Sequence, residues 1–394
     1  MARTRAWSSL SAELVEDISG RLTADADHVH FRQVCSQWRA STPPLAAPRP
    51  WAVAGRLPDG PDRWSKIHPV GRFSLWLPRG RDPVHVRAPH RLPHCYGAPR
   101  GWLALADHAR SPTRFVLWDP VSCREIPLPF LPGVLQVFLS ADPLAAPSSP
   151  EEEENAWMAV ALASRRPEKA VINRLVYWRP GDGAWAALPG CHGVNEIYSV
   201  AFHRGRFYFT DMSGILTGYD LNPGGTASPP ALVMMFSTDG ALSPSICDCG
   251  ASYHSVRAVH AVTCHGDLLL VAVGHALGRH PPVAGVFRPA VRAEFGGKAV
   301  EPGERVTDLG EYSLFLGRGD GFALSASEFP GIKRNRVYFL EHDMQYHQKY
   351  WMVVFDLSSG VIVEHVPYPQ EHKEDGSNWL PFTWWCPRKP FLDQ

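Results

Sequence analysis

The sequence predicts a short all-α segment followed by a large all-β domain. Three observations support this division of the 394 residues. Apolar residues recur at helical spacing before residue 43, and two prolines then interrupt the chain. The remainder is rich in Trp, Gly and Pro and contains short apolar runs broken by turns. The predicted domains are residues 1–45 and residues 46–394.

The first helix is predicted to begin near Ala12. Ser11 suits the N-cap because its hydroxyl can accept a backbone amide of the first turn. Apolar side chains then recur at four-residue intervals along one face: Leu14, Ile18 and Leu22. An amphipathic helix of this kind needs a surface on which to bury its apolar stripe.

Two further helices are predicted before residue 45. Thr23 can cap a short second helix that carries Asp25 in its first turn. The third helix should end before Pro43, because the residue that precedes a proline avoids the α region. Apolar members of residues 31–39 have the i, i+3, i+4, i+7 spacing of one helical face. A unit of about 40 residues rarely stabilises itself alone, so we expect a docking module.

The pattern of bulky residues between residues 7 and 42 resembles an F-box of the plant type. It starts with Trp-Ser-x-Leu at Trp7, continues with Leu-Val-x-x-Ile at Leu14, and ends with Phe-Arg-x-Val-Cys-x-x-Trp-Arg at Phe31. Ser11 stands where the family usually has proline. The resemblance implies that a set of residues is shared between the motif's own core and a Skp-family adaptor of a cullin ubiquitin ligase: Leu10, Leu14, Val15, Ile18, Leu22, Val34, Cys35 and Trp38.

Two other interpretations of this segment compete with an F-box. A generic helical extension packed on its own domain would show the same periodicity. A DNA-binding three-helix unit is disfavoured, because residues 1–42 contain five arginines and five acidic residues, a balance of zero. Phosphate binding calls for clustered positive charge.

The composition of the whole chain limits its partners and its location. Hydrophobic residues make up 45% and charged residues 20%, and the formal net charge is zero, so neither nucleic acid nor an anionic membrane attracts the chain by charge. We expect no secretory leader and no membrane span, because the longest strongly apolar run covers only residues 268–273. Eight scattered cysteines fit reduced thiols and predict a cytoplasmic or nuclear protein.

A repeat that places an aromatic residue before a turn recurs five times in the second part of the chain. The repeats are residues 115–120, 175–180, 216–221, 283–289 and 352–357. Apolar strands precede them, so we expect four-stranded blades. Radial repetition of blades protects sheet edges. At about 50 to 55 residues per blade, the length predicts a six- or seven-bladed β-propeller. A large β-sandwich array is the alternative.

Several segments of the β domain also resemble the plant F-box-associated family known as domain of unknown function 295. They are residues 95–103, 115–120, 202–208, 353–357 and 384–387. That resemblance implies a propeller fold. Independently, the aromatic-rich residues 379–391 are predicted to complete a blade together with chain from the start of the domain.

No sequence motif indicates catalysis, so we expect neither an enzyme nor a cofactor. The nucleophile elbow, the zinc-protease helix and the phosphate-binding loop are missing from the sequence. Residues 317–321 alternate glycines but fit a hairpin better than a nucleotide site. Cys247, Cys249 and Cys264 could ligate zinc, yet the second close pair of a zinc knuckle is absent, and structural thiols are preferred. The acidic run Glu151–Glu154 predicts a solvated loop, with contact to a basic partner as the alternative.

Together these features predict the non-catalytic substrate-recognition subunit of a ubiquitin ligase. The helical segment would dock on a Skp-family adaptor, and through it on a cullin, while the propeller binds a protein substrate that the sequence does not identify. One alternative is an adaptor-independent interaction scaffold with a degenerate F-box, for which Ser11 is the discriminating residue. Another is a propeller enzyme or small-ligand binder, which would need polar side chains converging in the central channel.

Overall fold

The structure is a computed structural model that describes most of the chain. The described residues are 7, 10–22, 25–42, 50–56, 73–76, 89, 91–108, 111–144, 157–165, 172–192, 197–211, 214–222, 228–237, 254–276, 282–294, 297–329, 331–340, 350–367 and 379–386. The acidic run Glu151–Glu154, Cys247 and Cys249 lie outside these residues, so the predictions for them stay predictions.

Three short helices occupy the N-terminal segment, as predicted: α1 (Ala12–Gly20), α2 (Asp25–Arg32) and α3 (Ser36–Ala40). Helix α1 begins at the predicted residue, and Ser11 has the extended backbone of an N-cap although its side chain makes no capping hydrogen bond. The expected cap Thr23 and the terminating Pro43 lie outside the described residues. No helix among the described residues is long and apolar enough to cross a membrane.

The prediction of a single helical face over residues 31–39 is wrong. Helix α2 ends at Arg32 and α3 begins at Ser36, because Cys35 takes an extended backbone with φ of −161°. Its Sγ accepts a hydrogen bond from the amide of Trp38 at 3.5 Å and so caps α3. The rings of Phe31 and Trp38 nevertheless lie with their centroids 4.4 Å apart. The periodic apolar residues therefore belong to two helices, α2 and α3, whose side chains pack against each other.

Among the described residues, 25 strands form six sheets. Five sheets contain four or five strands and are called blades 1 to 5. Blade 1 contains β3 (His94–Cys95), β4 (Leu103–Ala106), β5 (Phe115–Trp118) and β6 (Glu125–Pro127). Blade 2 contains β7 (Val134–Leu139), β8 (Ala159–Arg165), β9 (Ile172–Trp178) and β10 (Ala186–His192). Blade 3 contains β11 (Ile197–His203), β12 (Arg206–Asp211), β13 (Ile215–Asp220) and β14 (Ala231–Ser237), and β20 (Gly319–Asp320) joins it.

The remaining sheets bring the two ends of the β domain together. Blade 4 contains β15 (His254–Cys264), β16 (Asp267–Ala276), β17 (Pro282–Glu294) and β18 (Gly297–Val306). Blade 5 contains β19 (Tyr312–Leu316), β21 (Phe322–Ser325), β22 (Arg336–Leu340), β23 (Tyr350–Asp356) and β24 (Val361–Pro367). The closing sheet contains β1 (Trp51–Arg56), β2 (Phe73–Trp76) and β25 (Trp379–Trp385), with Trp51 opposite Trp385. The predicted closure through the C-terminal segment is confirmed.

Hydrophobic clusters connect the six sheets into a ring. Each of six clusters is shared by two sheets that follow one another, from the closing sheet through blades 1 to 5. The last cluster joins blade 5 to the closing sheet again, with Phe315 packed edge-on against Trp384 at 5.3 Å between centroids. This circular order is that of a β-propeller and not of a β-sandwich array.

The predicted count of six or seven four-stranded blades is corrected to five. Each of the five aromatic repeats forms one strand of an antiparallel pair, in β5, β9, β13, β17 and β23. Each blade therefore carries one repeat. The closing sheet carries none and has three described strands, since it is assembled from both ends of the domain. Dividing the chain length by a blade length counted these ends and the loops as further blades.

The glycine-rich residues 317–321, here called the axial loop, lie at the centre of the ring. They connect β19 to β21, which pair in antiparallel, so the predicted hairpin is confirmed. The short strand β20 within the loop pairs in parallel with β11 and also approaches β7 and β25. A Cβ built on Gly321 would lie 3.4 Å from the carbonyl oxygen of Ala261 in blade 4. The loop therefore reaches strands on several sides of the ring.

Candidate functional site

The core of the helical unit depends on Trp38 in α3. This indole is buried, and its Nε1 donates a hydrogen bond to the carbonyl oxygen of Trp7 at 3.1 Å. The side-chain Nε2 of Gln37 donates a hydrogen bond to the carbonyl oxygen of Leu10 at 2.8 Å. These two bonds tie α3 to the chain that precedes α1. The unit thus has an internal structure built from residues on both sides of α2.

The structure divides the predicted adaptor-binding residues into three groups. Val15 and Trp38 are buried. Leu10, Leu22 and Cys35 are half-buried. Leu14, Ile18 and Val34 are exposed by 52%, 36% and 52%. The buried pair stabilises the unit itself, whereas the exposed residues offer apolar surface to another molecule.

Sequence reasoning left Trp7 out of the predicted site, although it begins the pattern that resembles an F-box. Its side chain is 74% exposed, more than that of any other large apolar residue among the described parts of the chain. The described residues contain eight such exposed side chains: Trp7, Leu14, Ile18, Val34, Phe130, Leu232, Val361 and Val363. Half of them lie in the small helical unit. This density is the strongest structural mark of an interaction face in the described chain.

Acidic side chains lie beside the exposed stripe of α1. Glu13, Glu16 and Asp17 are all exposed, and Arg21 pairs with Asp17 at 2.9 Å. An ion pair this exposed contributes at most about 1 kcal/mol, so it does not define the face. The excess of carboxylates nevertheless favours a partner with basic groups around its apolar contact.

Helix α2 packs directly on blade 1. Val29 is fully buried and belongs to the cluster that includes Trp51 and Trp385 of the closing sheet. Burial of a valine side chain typically stabilises by about 1.5–3 kcal/mol. The sequence alone gave no sign of this contact, and it supports part of the competing interpretation, namely a helical extension packed on its own domain. The unit does both: α2 packs inward while α1 exposes apolar residues.

Two polar side chains accompany that packing. Arg32 Nε donates to the carbonyl oxygen of Val121 at 3.2 Å, and Gln33 Nε2 donates to that of Pro120 at 3.4 Å. Burial lowers the pKa of the Arg32 guanidinium, and the charge of Arg39 lowers it further. Both acceptors belong to the turn between β5 and β6, which ends the first aromatic repeat.

Polar side chains also meet near the centre of the propeller. The backbone amide of Arg100 donates to Asp320 Oδ2 at 2.8 Å, and Arg100 Nε donates to the carbonyl oxygen of Leu139 at 3.0 Å. The guanidinium lies 4.9 Å from the centroid of Phe202. Burial raises the pKa of Asp320 to about 6 and lowers that of Arg100. The hydrogen bonds of these groups are made within the protein. Such an arrangement fits a structural contact across the ring better than a ligand site.

Comparison with known proteins places the β domain in a family. The family model described as the KIB1-4 beta-propeller matches residues 73–356, which is more than half of the chain. The chain belongs to the KIB1-4 beta-propeller family. The match runs from β2 to β23 and so contains four aromatic repeats in full and the fifth except for its last residue, Leu357. The resemblance to domain of unknown function 295 is not confirmed by it.

Other similarities of this KIB1-4 propeller protein are more distant. A protein of Arabidopsis thaliana that carries the provisional name F-box protein is 22% identical over 383 residues, covering 91% of this chain and 93% of its own. Among solved structures, Saccharomyces cerevisiae Sqt1 is 9% identical with a TM-score of 0.33, covering 75% of this chain and 80% of that one. An Aleuria aurantia lectin is 9% identical with a TM-score of 0.31, covering 75% and 88%. Scores this low carry no argument about function.

Three described cysteines of the KIB1-4 propeller are buried thiols, whereas Cys123 is half-buried. Cys95, Cys264 and Cys386 are buried and unpaired with one another. Burial raises the pKa of Cys95 and of Cys264 to about 12, so both thiols are protonated at neutral pH. Within the described ranges, no group of three or more metal-ligating side chains occurs.

Proposed function

We propose that this chain is the substrate-recognition subunit of a Skp-cullin-F-box ubiquitin ligase. Residues 1–45 dock on a Skp-family adaptor, and residues 46–394 bind a protein substrate. The observation that carries the proposal is the concentration of exposed apolar side chains on a helical unit whose sequence resembles an F-box: Trp7, Leu14, Ile18 and Val34. The chain performs no bond chemistry in this account. It raises the effective concentration of substrate lysines beside an enzyme that the complex supplies, in the cytoplasm or the nucleus.

The apolar residues of the helical unit suit a protein partner. Leu14 and Ile18 lie four residues apart on α1, so they form a ridge that can enter a groove between helices of the adaptor. Val34 follows α2 at the corner before α3. A few exposed apolar anchors surrounded by charged residues are typical of the centre and rim of a protein interface.

The position of the helical unit leaves one face of the propeller for the substrate. Successive turns of an antiparallel sheet alternate between its two ends. Since α2 contacts the β5–β6 turn, the connections β4–β5 and β6–β7 lie at the opposite end of blade 1. Phe130, in the β6–β7 connection, is an exposed aromatic residue at that end. We therefore assign substrate binding to the face opposite the helices.

Ser11 is the reason to keep a second candidate function, an interaction scaffold that needs no adaptor. It replaces the proline that F-boxes usually carry after the first leucine. The replacement does not displace the helix, since Ser11 has an extended backbone with ψ of 153° and α1 begins at Ala12. The position at which α1 begins therefore gives no support to the scaffold without an adaptor.

Affinity purification of the full chain from plant cells separates the two candidates. The ligase account predicts that a Skp-family adaptor and a cullin are recovered with the wild-type chain. A variant carrying Ile18→Asp and Val34→Asp should lose both and keep the proteins bound by the propeller. Recovery of propeller partners without adaptor or cullin from the wild-type chain would support the scaffold instead.

A further inference from the structure

We propose that α2 is a fixed joint, with Arg32 as its positioning residue, which holds the exposed face of α1 in one orientation relative to the propeller. The biological meaning of this joint rests on the proposed function, because ubiquitin transfer requires a defined distance between adaptor and substrate. The joint itself is a property of the free chain. It is therefore open to measurement without any partner.

Arg32 connects three parts of the molecule through one side chain. Its Nε donates to the carbonyl oxygen of Val121 in blade 1 at 3.2 Å, and its Nη1 donates to the carbonyl oxygen of Thr42 just after α3. The residue is 7% exposed. A planar guanidinium offers donors in several fixed directions and can satisfy both carbonyls at once, whereas the single ammonium of a lysine is a compact point charge. Arg32 thus fixes α2 and the end of α3 on the same blade.

The neighbours of Arg32 show that a whole helical face takes part. Val29 and Arg32 belong to α2, and Gln33 directly follows it. Their spacing of i, i+3 and i+4 places them on one side of the helix. Val29 is fully buried among residues of blade 1 and the closing sheet. Gln33 Nε2 reaches the carbonyl oxygen of Pro120 at 3.4 Å. An apolar contact flanked by two side-chain hydrogen bonds resists rotation about the chain connection.

The acceptor turn on the propeller is itself held in place. The carboxylate of Asp119 accepts hydrogen bonds from the backbone amide of Val121 at 2.9 Å and from the hydroxyl of Ser122. The amide of Cys123 donates to the carbonyl oxygen of Asp119 at 2.7 Å. Asp119 is buried and follows β5 directly. The joint therefore connects a packed helix to a braced turn, and not to a loose loop.

Pulsed electron paramagnetic resonance on the full chain tests this joint. Nitroxide labels are placed on a keto amino acid introduced at Glu16 and at Gly183, so the native cysteines stay untouched. Glu16 is exposed on α1, and a Cβ on Gly183 in the β9–β10 turn meets no atom within 4 Å. A fixed joint predicts one narrow distance distribution. A broad distribution in the wild-type chain would overturn the proposal.

Variants at the joint give the second arm of the test. Arg32→Ala should broaden or shift the distribution of distances between the two labels. Arg32→Lys should have the same effect although it keeps the positive charge, because lysine lacks the planar guanidinium. Arg21→Ala is the matched control, because Arg21 is an exposed arginine of the same helical unit whose guanidinium pairs with Asp17 of α1. Its distribution should equal that of the wild type. An unchanged distribution in both Arg32 variants would overturn the role of Arg32.

Adaptor affinity of the same variants separates this proposal from the proposed function. The Arg32→Lys chain should bind a Skp-family adaptor as tightly as the wild type, since Arg32 is buried away from the exposed stripe. A narrow distribution in a chain that binds no adaptor would leave the joint standing and reject the ligase function. Tight adaptor binding by a chain with a broad distribution would reject the joint and leave the function standing.

Discussion

The backbone amide of Arg100 donates a hydrogen bond to the carboxylate of Asp320 at 2.8 Å, across 220 residues of sequence. Arg100 belongs to the connection between β3 and β4, and Asp320 belongs to the axial loop of blade 5. The bond therefore joins the first blade to the last across the centre of the ring. Both residues are buried, so their charges matter to stability.

Asp320→Asn should change how stability depends on pH. Burial raises the pKa of Asp320 from its ordinary 3.8 to about 6 in the folded chain. Between these values the folded state binds more protons than the unfolded state, so the contribution of Asp320 to the free energy of unfolding falls as pH rises from about 4 to about 6. It stays constant above that interval. Urea unfolding at pH 4, 5, 6 and 7 should show the free energy of unfolding of the variant rising relative to that of the wild type up to about pH 6, with no further change at pH 7.

Parallel pH profiles for the wild type and Asp320→Asn would contradict this account of Asp320. The absolute stability of the variant is not the test, because its side-chain amide also changes the surroundings of Arg100. The difference between the two profiles isolates the titration of Asp320 from that of groups that both chains share.

Gly319→Ala should destabilise the propeller through the axial loop. Gly319 has φ of 103°, a conformation that residues with a Cβ rarely adopt. Strain of this kind typically costs about 1–3 kcal/mol, and the free energy of unfolding in urea measures it. Gly183→Ala is the matched control, since its Cβ would meet no atom within 4 Å. Equal stability of both variants would contradict the tight placement of the axial loop.

Trp385→Ala should destabilise the whole ring. Trp385 is fully buried, pairs with Trp51 across β1 and β25, and donates from Nε1 to the carbonyl oxygen of Gly101 at 2.8 Å. Loss of a large buried ring costs about 3–5 kcal/mol. Thermal unfolding should remain one transition at a lower temperature. Phe130→Ala, at an exposed aromatic residue, should leave the transition almost unchanged. A wild-type melting temperature for Trp385→Ala would contradict closure through β25.

Much of this fold was predictable because it depends on local patterns. Apolar runs end before a turn at Trp118, Trp178 and Phe355. Trp118 and Trp178 proved to be the last residues of β5 and β9, and Phe355 the second-to-last residue of β23. The start of α1 at Ala12 follows from the same kind of local signal. Periodicity and turn residues act within a few positions of the chain, so the sequence displays them directly.

The remaining features depend on contacts between distant residues. The break between α2 and α3 results from the extended backbone of Cys35, which an apolar period does not reveal. The contact of Arg32 with Val121 spans 89 residues, and nothing near Arg32 in sequence marks it. The division of the candidate site into buried Val15 and exposed Leu14 likewise required the packing of α1, since both are apolar neighbours.

The proposed ligase function can be tested by measuring the affinity of the full chain for purified Skp-family adaptors with isothermal titration calorimetry. We expect specific binding by the wild type and an affinity at least about a hundredfold lower for Ile18→Asp, because a charge would enter a desolvated contact and each 1.4 kcal/mol is tenfold. The melting temperature should stay unchanged, since Ile18 is partly exposed. Ala12→Asp, which adds the same charge in the first turn of α1, should bind normally. Undetectable binding of every adaptor by the wild type, or equal binding by Ile18→Asp, would contradict the account.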